Sequence, residues 1–355
     1  MKQPQTLDLA GIKLEFAATD PPSADFLARL RRFYAAQAPL SAPSAMWSYL
    51  RDTYQRDLHR ALSSGDDATL AFELNTLYER QTLWGMEITR AHITPPGTTD
   101  YYASWTDALL RAAACLGVIN CYNPESDERP RLSPAAIIRD IEAHLGIRLP
   151  CATAGAMFGL AVEGRIIPRK VLETICAVAP AVNNPPQSVL WEIGAGTGWI
   201  VRLMRTLFPA CVCHTLDLPI ASVCQACLLA AQFGEESIWL AGEPEKPGCA
   251  IAIHGEDRSW LENAELPACV FNQDSLPEMT RSQRDYFLDL IARRLPPTGT
   301  FFSINHETAM CDQESVHAAA KRHPTLRLVR RNPYWGRDGY LLEEYQTARP
   351  WTALK

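Results

Sequence analysis

Three glycines at alternate positions, Gly194, Gly196 and Gly198, follow the run Val-Leu-Trp-Glu-Ile at 189–193 and precede an apolar pattern at Ile200, Val201, Leu203 and Met204. That order predicts a buried strand, a tight turn and the start of a helix. Glycine reaches positive φ cheaply and lets a ligand approach the main chain with no Cβ in the way. The first turn of a helix adds N–H groups that lack partners. Such a turn suits the polar part of a nucleotide-like ligand. Two acids flank it. Glu192 stands two residues before the first glycine. Asp217 ends the apolar stretch at 211–216, roughly twenty residues beyond the turn. A carboxylate there can accept both hydroxyl protons of a ribose. It can equally cap a helix that begins near Ile220.

Two cofactor classes use such a turn. The dinucleotide fingerprint is G-x-G-x-x-G, whose third glycine lets helix pack on strand. Here Trp199 stands in that third place. The pattern Glu192-x-Gly194-x-Gly196-x-Gly198 resembles instead motif I of class I S-adenosylmethionine (SAM) methyltransferases. The resemblance implies a SAM site formed by Glu192, Gly194, Ala195, Gly196, Gly198, Asp217 and Leu218, with Asn272 at the end of a later strand. It places the motif I acid near the methionine part of the ligand. A dinucleotide site and a purely structural glycine turn are the alternatives.

These residues need a sheet to hold them. From Ser188 onward, strand and helix patterns alternate, which predicts an α/β, Rossmann-like fold with a mostly parallel sheet. Strands are expected at 189–193, 212–216, 268–272 and 300–305, with the third at either 237–240 or 250–253. Helices are expected at 220–233, 282–295 and 317–322. A closing antiparallel pair, 326–329 and 340–345, completes the seven-stranded sheet of the class I methyltransferases. Residues 1–180 read as a mostly helical domain, with apolar stripes at 24–36, at 44–62 behind a cap at Ser44, and from Asp66 or Asp67 through Tyr78. A loop is expected at 92–98, then Tyr101, Tyr102 and Trp105 leading into a helix at 108–116. A turn follows at Asn123-Pro124-Glu125, with a polar run to Arg131. Further helices are expected from Ser133-Pro134 to Leu145 and at 170–179. The stretch from Phe158 to Arg169 is distinctive, and Asn183-Asn184-Pro185-Pro186 links to the second domain, 181–355.

The chain has 355 residues and a net charge of −6, so neither nucleic acid nor an anionic membrane is an expected partner. No apolar run of about eighteen residues exists, so no transmembrane helix is expected. The first residues lead into no secretory core, and a cytoplasmic location is expected. The 11 cysteines are scattered and odd in number, which argues against a disulfide framework. Cys211, Cys213, Cys224 and Cys227 come nearest to a metal motif, and core packing explains them better.

Several stretches are similar to a bacterial family of sugar O-methyltransferases. They are Leu74-Asn75-x-Leu77 with Gly85, Leu116-Gly117-Val118 with Asn123-Pro124-Glu125, Gly159-Leu160 with Gly164 and Arg169, motif I itself, and Asn272-x-Asp274-Ser275-x-x-Glu278-Met279. The chain departs from that family at Thr197, where an aromatic residue is common, at Trp199, where a small one is, and at Leu276-Pro277, where Phe-Gln is.

What the resemblance implies is methyl transfer from SAM to a hydroxyl of a small-molecule acceptor. That acceptor is a sugar, a glycosylated metabolite or a glycan precursor. A hydroxyl is a weak acid, so a base that takes its proton helps by roughly 10²–10⁴-fold. Polar residues that end strands four and five are the candidates. Asp274 follows strand four, where related O-methyltransferases carry a base, and His306 follows strand five with a pKa better suited to neutral pH. The plainer roles are a helix cap for Asp274 and a hydrogen-bonded loop position for His306. Glu278 can pair with Arg281 or Arg284. A magnesium site from Asp274, Glu278 and Glu307 has no recognised spacing, so no metal is expected. Arg169, Tyr101, Tyr102, Trp105 and Trp335 are candidates for an acceptor pocket, and His254 and Glu256 for an adenine border. The other functions that remain open are O-methylation of a non-sugar natural product, an NAD(P)-dependent oxidoreductase, and a non-catalytic SAM-binding partner protein. A homodimer is one possible assembly.

Overall fold

The computed structural model describes residues 7–18, 20–37, 44–93, 97–119, 132–182, 188–244, 246, 248–262, 264–307 and 314–348. The expected turn at Asn123-Pro124-Glu125 with the run to Arg131, the Pro95-Pro96 part of the expected loop, and the linker at 183–186 lie outside the described residues.

The first half supplies β1 (Lys13–Phe16), α1 (Ala24–Gln37), α2 (Ala45–Thr53), α3 (Arg56–Ser64), α4 (Asp67–Asn75), α5 (Gly97–Cys115), α6 (Pro134–Leu145), β2 (Phe158–Val162), β3 (Arg165–Ile167) and α7 (Arg169–Val182). The helices form where local signals agree with burial. α1 buries Phe26, Leu27, Leu30, Phe33 and Tyr34 along one stripe. Asp66 caps α4 by accepting from the N–H groups of Ala68 and Thr69. α6 opens on Pro134 and stops at Gly146 in the left-handed conformation.

Two expectations are corrected here. The stripe at 44–62 is two helices, broken at Tyr54 and Gln55. The break lets Tyr54 stack on Trp84 with centroids 5.1 Å apart, while Leu58 and Leu62 still reach the core. The helix expected from Ala108 begins at Gly97. The mostly helical half also holds a small antiparallel sheet of β1, β2 and β3. β2 is buried along nearly all of its length, so it lacks the alternation that marks a half-exposed strand.

The second half supplies β4 (Val189–Ile193), α8 (Trp199–Leu207), β5 (Val212–Leu216), α9 (Pro219–Phe233), β6 (Ile238–Leu240), β7 (Ile251–Ile253), β8 (Cys269–Gln273), α10 (Arg281–Arg294), β9 (Thr300–His306), α11 (Val316–Ala320), β10 (Leu326–Pro333) and β11 (Tyr340–Thr347). Their sheet runs β10-β11-β9-β8-β4-β5-β7-β6, parallel except where β11 joins β9 and β10. It has eight strands rather than the expected seven, because both candidates for the third strand form. β7 pairs with β5, and β6 takes the edge. Arg29 of α1 reaches that edge. Its Nη2 donates to the Ile238 carbonyl at 2.6 Å and its Nε to Glu243 at 2.6 Å, so charge and a helix cover the exposed strand.

One apolar cluster runs from α1 and α3–α7 through α8 and α9 to one side of the sheet, and a second packs α10 and α11 on the other. Cys211, Cys213, Cys224 and Cys227 are buried within the first. β4 is flanked by β5 on one side and β8 on the other, so the strand order reverses beside it. Open α/β sheets bind ligands outside the carboxyl ends of strands at such a point. Among the described residues, no helix is long and apolar enough to cross a membrane.

Candidate active site

A cavity of about 490 Å³ opens at the carboxyl ends of β4, β5 and β8, with residues of the helical half as its other wall. That volume lies in the range of small-molecule sites. Glu192, Gly194, Ala195, Gly196, Asp217 and Leu218 line it.

The glycine turn has two distinct reasons for its glycines. Gly194 has φ +70°, and a Cβ there would lie 1.9 Å from Ser275 Oγ. The chain after β8 therefore passes directly against the turn. Gly196 has φ +53°, and a Cβ there would meet nothing within 4 Å, so the main chain at that residue opens to the cavity. Gly198 is not on the wall. It caps α8 with φ +78° and backs on Gln225.

Asp217 does not cap α9, which starts behind Leu218 without a side-chain bond. Its Oδ2 accepts from Gly196 N–H at 2.5 Å and its Oδ1 from Leu218 N–H at 2.6 Å. Each oxygen keeps a lone pair for another donor. Burial pushes its pKa up to about 6, against the opposing effect of the two N–H bonds. Glu192 is buried, and its Oε2 accepts from Val201 N–H in the first turn of α8 at 3.3 Å. Burial holds its carboxyl well above the usual range, and the nearby Asp217 charge adds to this.

Trp199, in the place of a third glycine, has a definite partner. Its Nε1 donates to Glu87 Oε2 at 2.9 Å, and Thr197 Oγ1 donates to the same oxygen at 3.4 Å. The Arg202 guanidinium lies 4.5 Å from the Trp199 ring centroid. Thr197 and Trp199 thus both tie the turn to the helical half. Glu87 is raised in pKa by burial and by Glu173, with Lys170 and Arg169 opposing. Arg169 and Lys170 stand on the same wall and share Glu173, at 3.3 and 3.7 Å.

At the other end, Asp274 lines the cavity in a left-handed backbone conformation, φ +57°, and its Oδ2 accepts from Arg337 at 3.0 Å. Tyr340 lies beside it, its hydroxyl raised in pKa by burial and then by the Asp274 charge. Glu278 also lines the cavity, and it pairs with neither Arg281 nor Arg284, which go to Asp285 and Glu314. Trp47 Nε1 of α2 donates to Glu278 Oε2 at 3.1 Å. Burial and then the Asp274 charge push Glu278 up to about 8.

Two predicted residues fall behind the wall rather than on it. Asn272 is fully buried, donates to the Ile193 carbonyl at 2.8 Å and accepts from Asn305 at 2.9 Å. It locks β4, β8 and β9 together and does not touch the cavity. His306 is paired across strands with Tyr340 and meets its ring edge-on at 5.7 Å. Tyr340, not His306, faces the cavity. Of the proposed acceptor pocket, Arg169 lines the cavity. Trp105 instead donates from Nε1 to the Ile167 carbonyl at 2.8 Å, Tyr101 is buried in the core, Tyr102 accepts from Leu14 N–H at 2.8 Å, and Trp335 is half exposed at the surface. Glu307 pairs with Arg331. Glu256 lines the cavity, whereas His254 is buried behind it against Trp260. Sequence reading passes over both Glu87 and Trp47 as site residues: Trp47 lies in a helical stripe that reads as core, and Glu87 in an irregular stretch between helices, far from the motifs.

No protein-family model matches this chain, and no curated protein matches it. Among solved structures it is similar to N-methyltransferase NodS from Bradyrhizobium japonicum WM9 in complex with S-adenosyl-L-homocysteine, at 18% identity over 51% of this chain and 88% of that chain, TM-score 0.38. It is similar to the mitomycin 7-O-methyltransferase MmcR at 13% identity over 90% of this chain and 95% of that one, TM-score 0.39. It is also similar to the glycopeptide N-methyltransferase MtfA at 15% identity over 49% and 90%, TM-score 0.36.

Proposed function

We propose that this protein is a SAM-dependent methyltransferase that acts on a hydroxyl of a small molecule. The observation that carries the reading is Asp217. Its carboxylate is fixed beneath the glycine turn by Gly196 N–H and lines a cavity at the point where the strand order reverses. The residues present fit the cofactor. Asp217 would accept from the ribose hydroxyls, and the open main chain at Gly196 would lie against the ligand. Glu192, Arg169 and Lys170 would meet the two charged groups of its amino-acid part. When bound, SAM supplies a methyl group already activated on a positive sulfur. The protein's task is then to hold an acceptor oxygen in line with it and to receive a proton.

The acceptor reading is a sugar or glycosylated metabolite, supported by the family-like stretches in the sequence and by the polar end of the cavity at Asp274, Arg337 and Glu278. The helical half, residues 1–180, would serve as the cap that shapes that end. Calorimetric titration with S-adenosylhomocysteine, beside NAD⁺ and NADP⁺, tests the cofactor. Binding of the first, lost in Asp217→Ala, is the expected result. Binding of a dinucleotide alone would overturn the reading.

A further inference from the structure

Asp217, Asp274 and Glu278 line the same cavity. Both Asp217 and Asp274 act on its carboxyl with like charge. Arg337 acts on it with opposite charge but is bonded to Asp274 at 3.0 Å. Tyr340 feels both Asp274 and Glu278. From the opposite wall, α2 presents Trp47 Nε1 to Glu278 Oε2 at 3.1 Å. Among the described residues, no cation forms an ion pair with Glu278, unlike Asp274. It is therefore an oriented carboxyl, on the wall of the cavity, whose charge no partner neutralises.

Resting on the methyltransferase reading, we propose that Glu278 faces the point of methyl transfer and takes the proton of the acceptor, with Trp47 positioning it. The acceptor oxygen forms its bond to the methyl carbon, and the carbon–sulfur bond breaks with its electron pair left on sulfur. The hydroxyl proton passes to the Glu278 carboxylate. Asp274 is engaged by Arg337 at 3.0 Å and acts on Glu278 rather than on the proton itself. Burial and the Asp274 charge raise Glu278 to about 8 in the free protein, and the positive sulfur of bound SAM would lower it again, leaving a carboxylate free to take the proton near the operating pH.

The donor alone tests this, without knowledge of the acceptor. SAM and S-adenosylhomocysteine differ at the reacting centre by one positive charge and one methyl group. A carboxyl facing that centre must lose its proton when SAM binds and keep it when S-adenosylhomocysteine binds. Calorimetry at pH 7 in two buffers of different ionisation enthalpy reads that proton. In the wild type, SAM is expected to release up to about one proton more than S-adenosylhomocysteine, and the SAM preference is expected to grow by about tenfold from pH 6.5 to 9, one pKa unit being tenfold in affinity. Glu278→Gln is expected to keep S-adenosylhomocysteine binding and to abolish both differences. Trp47→Phe, which leaves the carboxyl in place but removes its donor, is expected to move the midpoint to higher pH. Equal proton release for the two ligands in the wild type, or a difference that survives in Glu278→Gln, would overturn the proposal while leaving the cofactor reading intact. Failure of the wild type to bind S-adenosylhomocysteine at all would instead remove the reading on which it rests.

Discussion

Asp217 and Gly196 stand 21 residues apart in the chain and meet through one hydrogen bond, Gly196 N–H to Asp217 Oδ2 at 2.5 Å. The bond ties the end of β5 to the turn after β4, so the acid and the cradle are set as one unit. On the proposed reading it would also make cofactor binding pH-dependent. Burial raises Asp217 to about 6 in the free protein. Donation by the ribose hydroxyls of the proposed cofactor would favour its ionised form, so the proton held below that pH would leave when the ligand enters. The dissociation constant for S-adenosylhomocysteine is expected to rise about tenfold per unit as pH falls below about 6, and to be level above it. Calorimetry from pH 5 to 8 checks the slope. Asp217→Asn should bind more weakly and lose the slope.

Gly194 and Ser275 hold the chain after β8 against the turn. Alanine at 194 would put a Cβ 1.9 Å from Ser275 Oγ and 2.2 Å from Ser275 Cβ, at φ +70°. Gly194→Ala is expected to cost about 2–4 kcal/mol, from backbone strain and overpacking together. Ser275→Gly in that background removes both clashing atoms and should recover part of the loss, the strain remaining. A double-mutant cycle by urea denaturation measures the coupling, and additive effects would show that the two residues do not meet.

Trp199 fixes the turn to the helical half through Glu87. Trp199→Gly, which restores the dinucleotide-like spacing, deletes a ring that is 3% exposed and frees a carboxylate oxygen that accepts at 2.9 Å. The expected loss is about 3–5 kcal/mol by analogy with other large-to-small core changes. Trp199→Phe keeps most of the packing and loses the donor, so a smaller loss of about 1–2 kcal/mol is expected. Thermal and chemical unfolding of the two variants separates ring from bond.

Much of this was legible because short-range rules govern it. The strand, turn and helix at 189–207 follow from apolar runs around three glycines, and β4 and β5 match their expected bounds to the residue. What was not legible depends on contacts between distant segments. Gly198 reads like its two neighbours, yet only the approach of Gln225 shows that it faces inward. Asn272 and His306 end strands as binding residues do, but the side chains of Ser275 and Asn305, and of Tyr340, stand around them. Glu278 reads as an ion-pair partner in the sequence because Arg281 and Arg284 follow it within a few residues. It becomes a candidate only when Trp47, more than two hundred residues earlier, is placed against it.

His214 and His254 supply a last test, on stability. Their rings share a hydrogen bond, Nδ1 to Nε2 at 2.9 Å, and His254 stacks on Trp260 at 3.4 Å. Burial lowers His214 to about 4 and drives His254 well below its ordinary value, where the neighbouring His214 lowers it further. Between about pH 6.5 and 4, unfolded histidine binds a proton that the native pair refuses, so stability falls as pH falls through this window. Asp217 and Glu278 work the other way. Their raised pKa values mean that the native state holds protons the unfolded chain has lost, and stability falls as pH rises through about 4 to 8. The net curve therefore hides the histidines, and a difference curve reveals them. His214→Phe keeps a ring in the stack and removes one titrating group. Relative to that variant, the wild type is expected to lose about 2–3 kcal/mol more on going from pH 7 to 4. Urea unfolding of both proteins across that range gives the difference directly, and parallel curves would show that the buried pair is not held neutral.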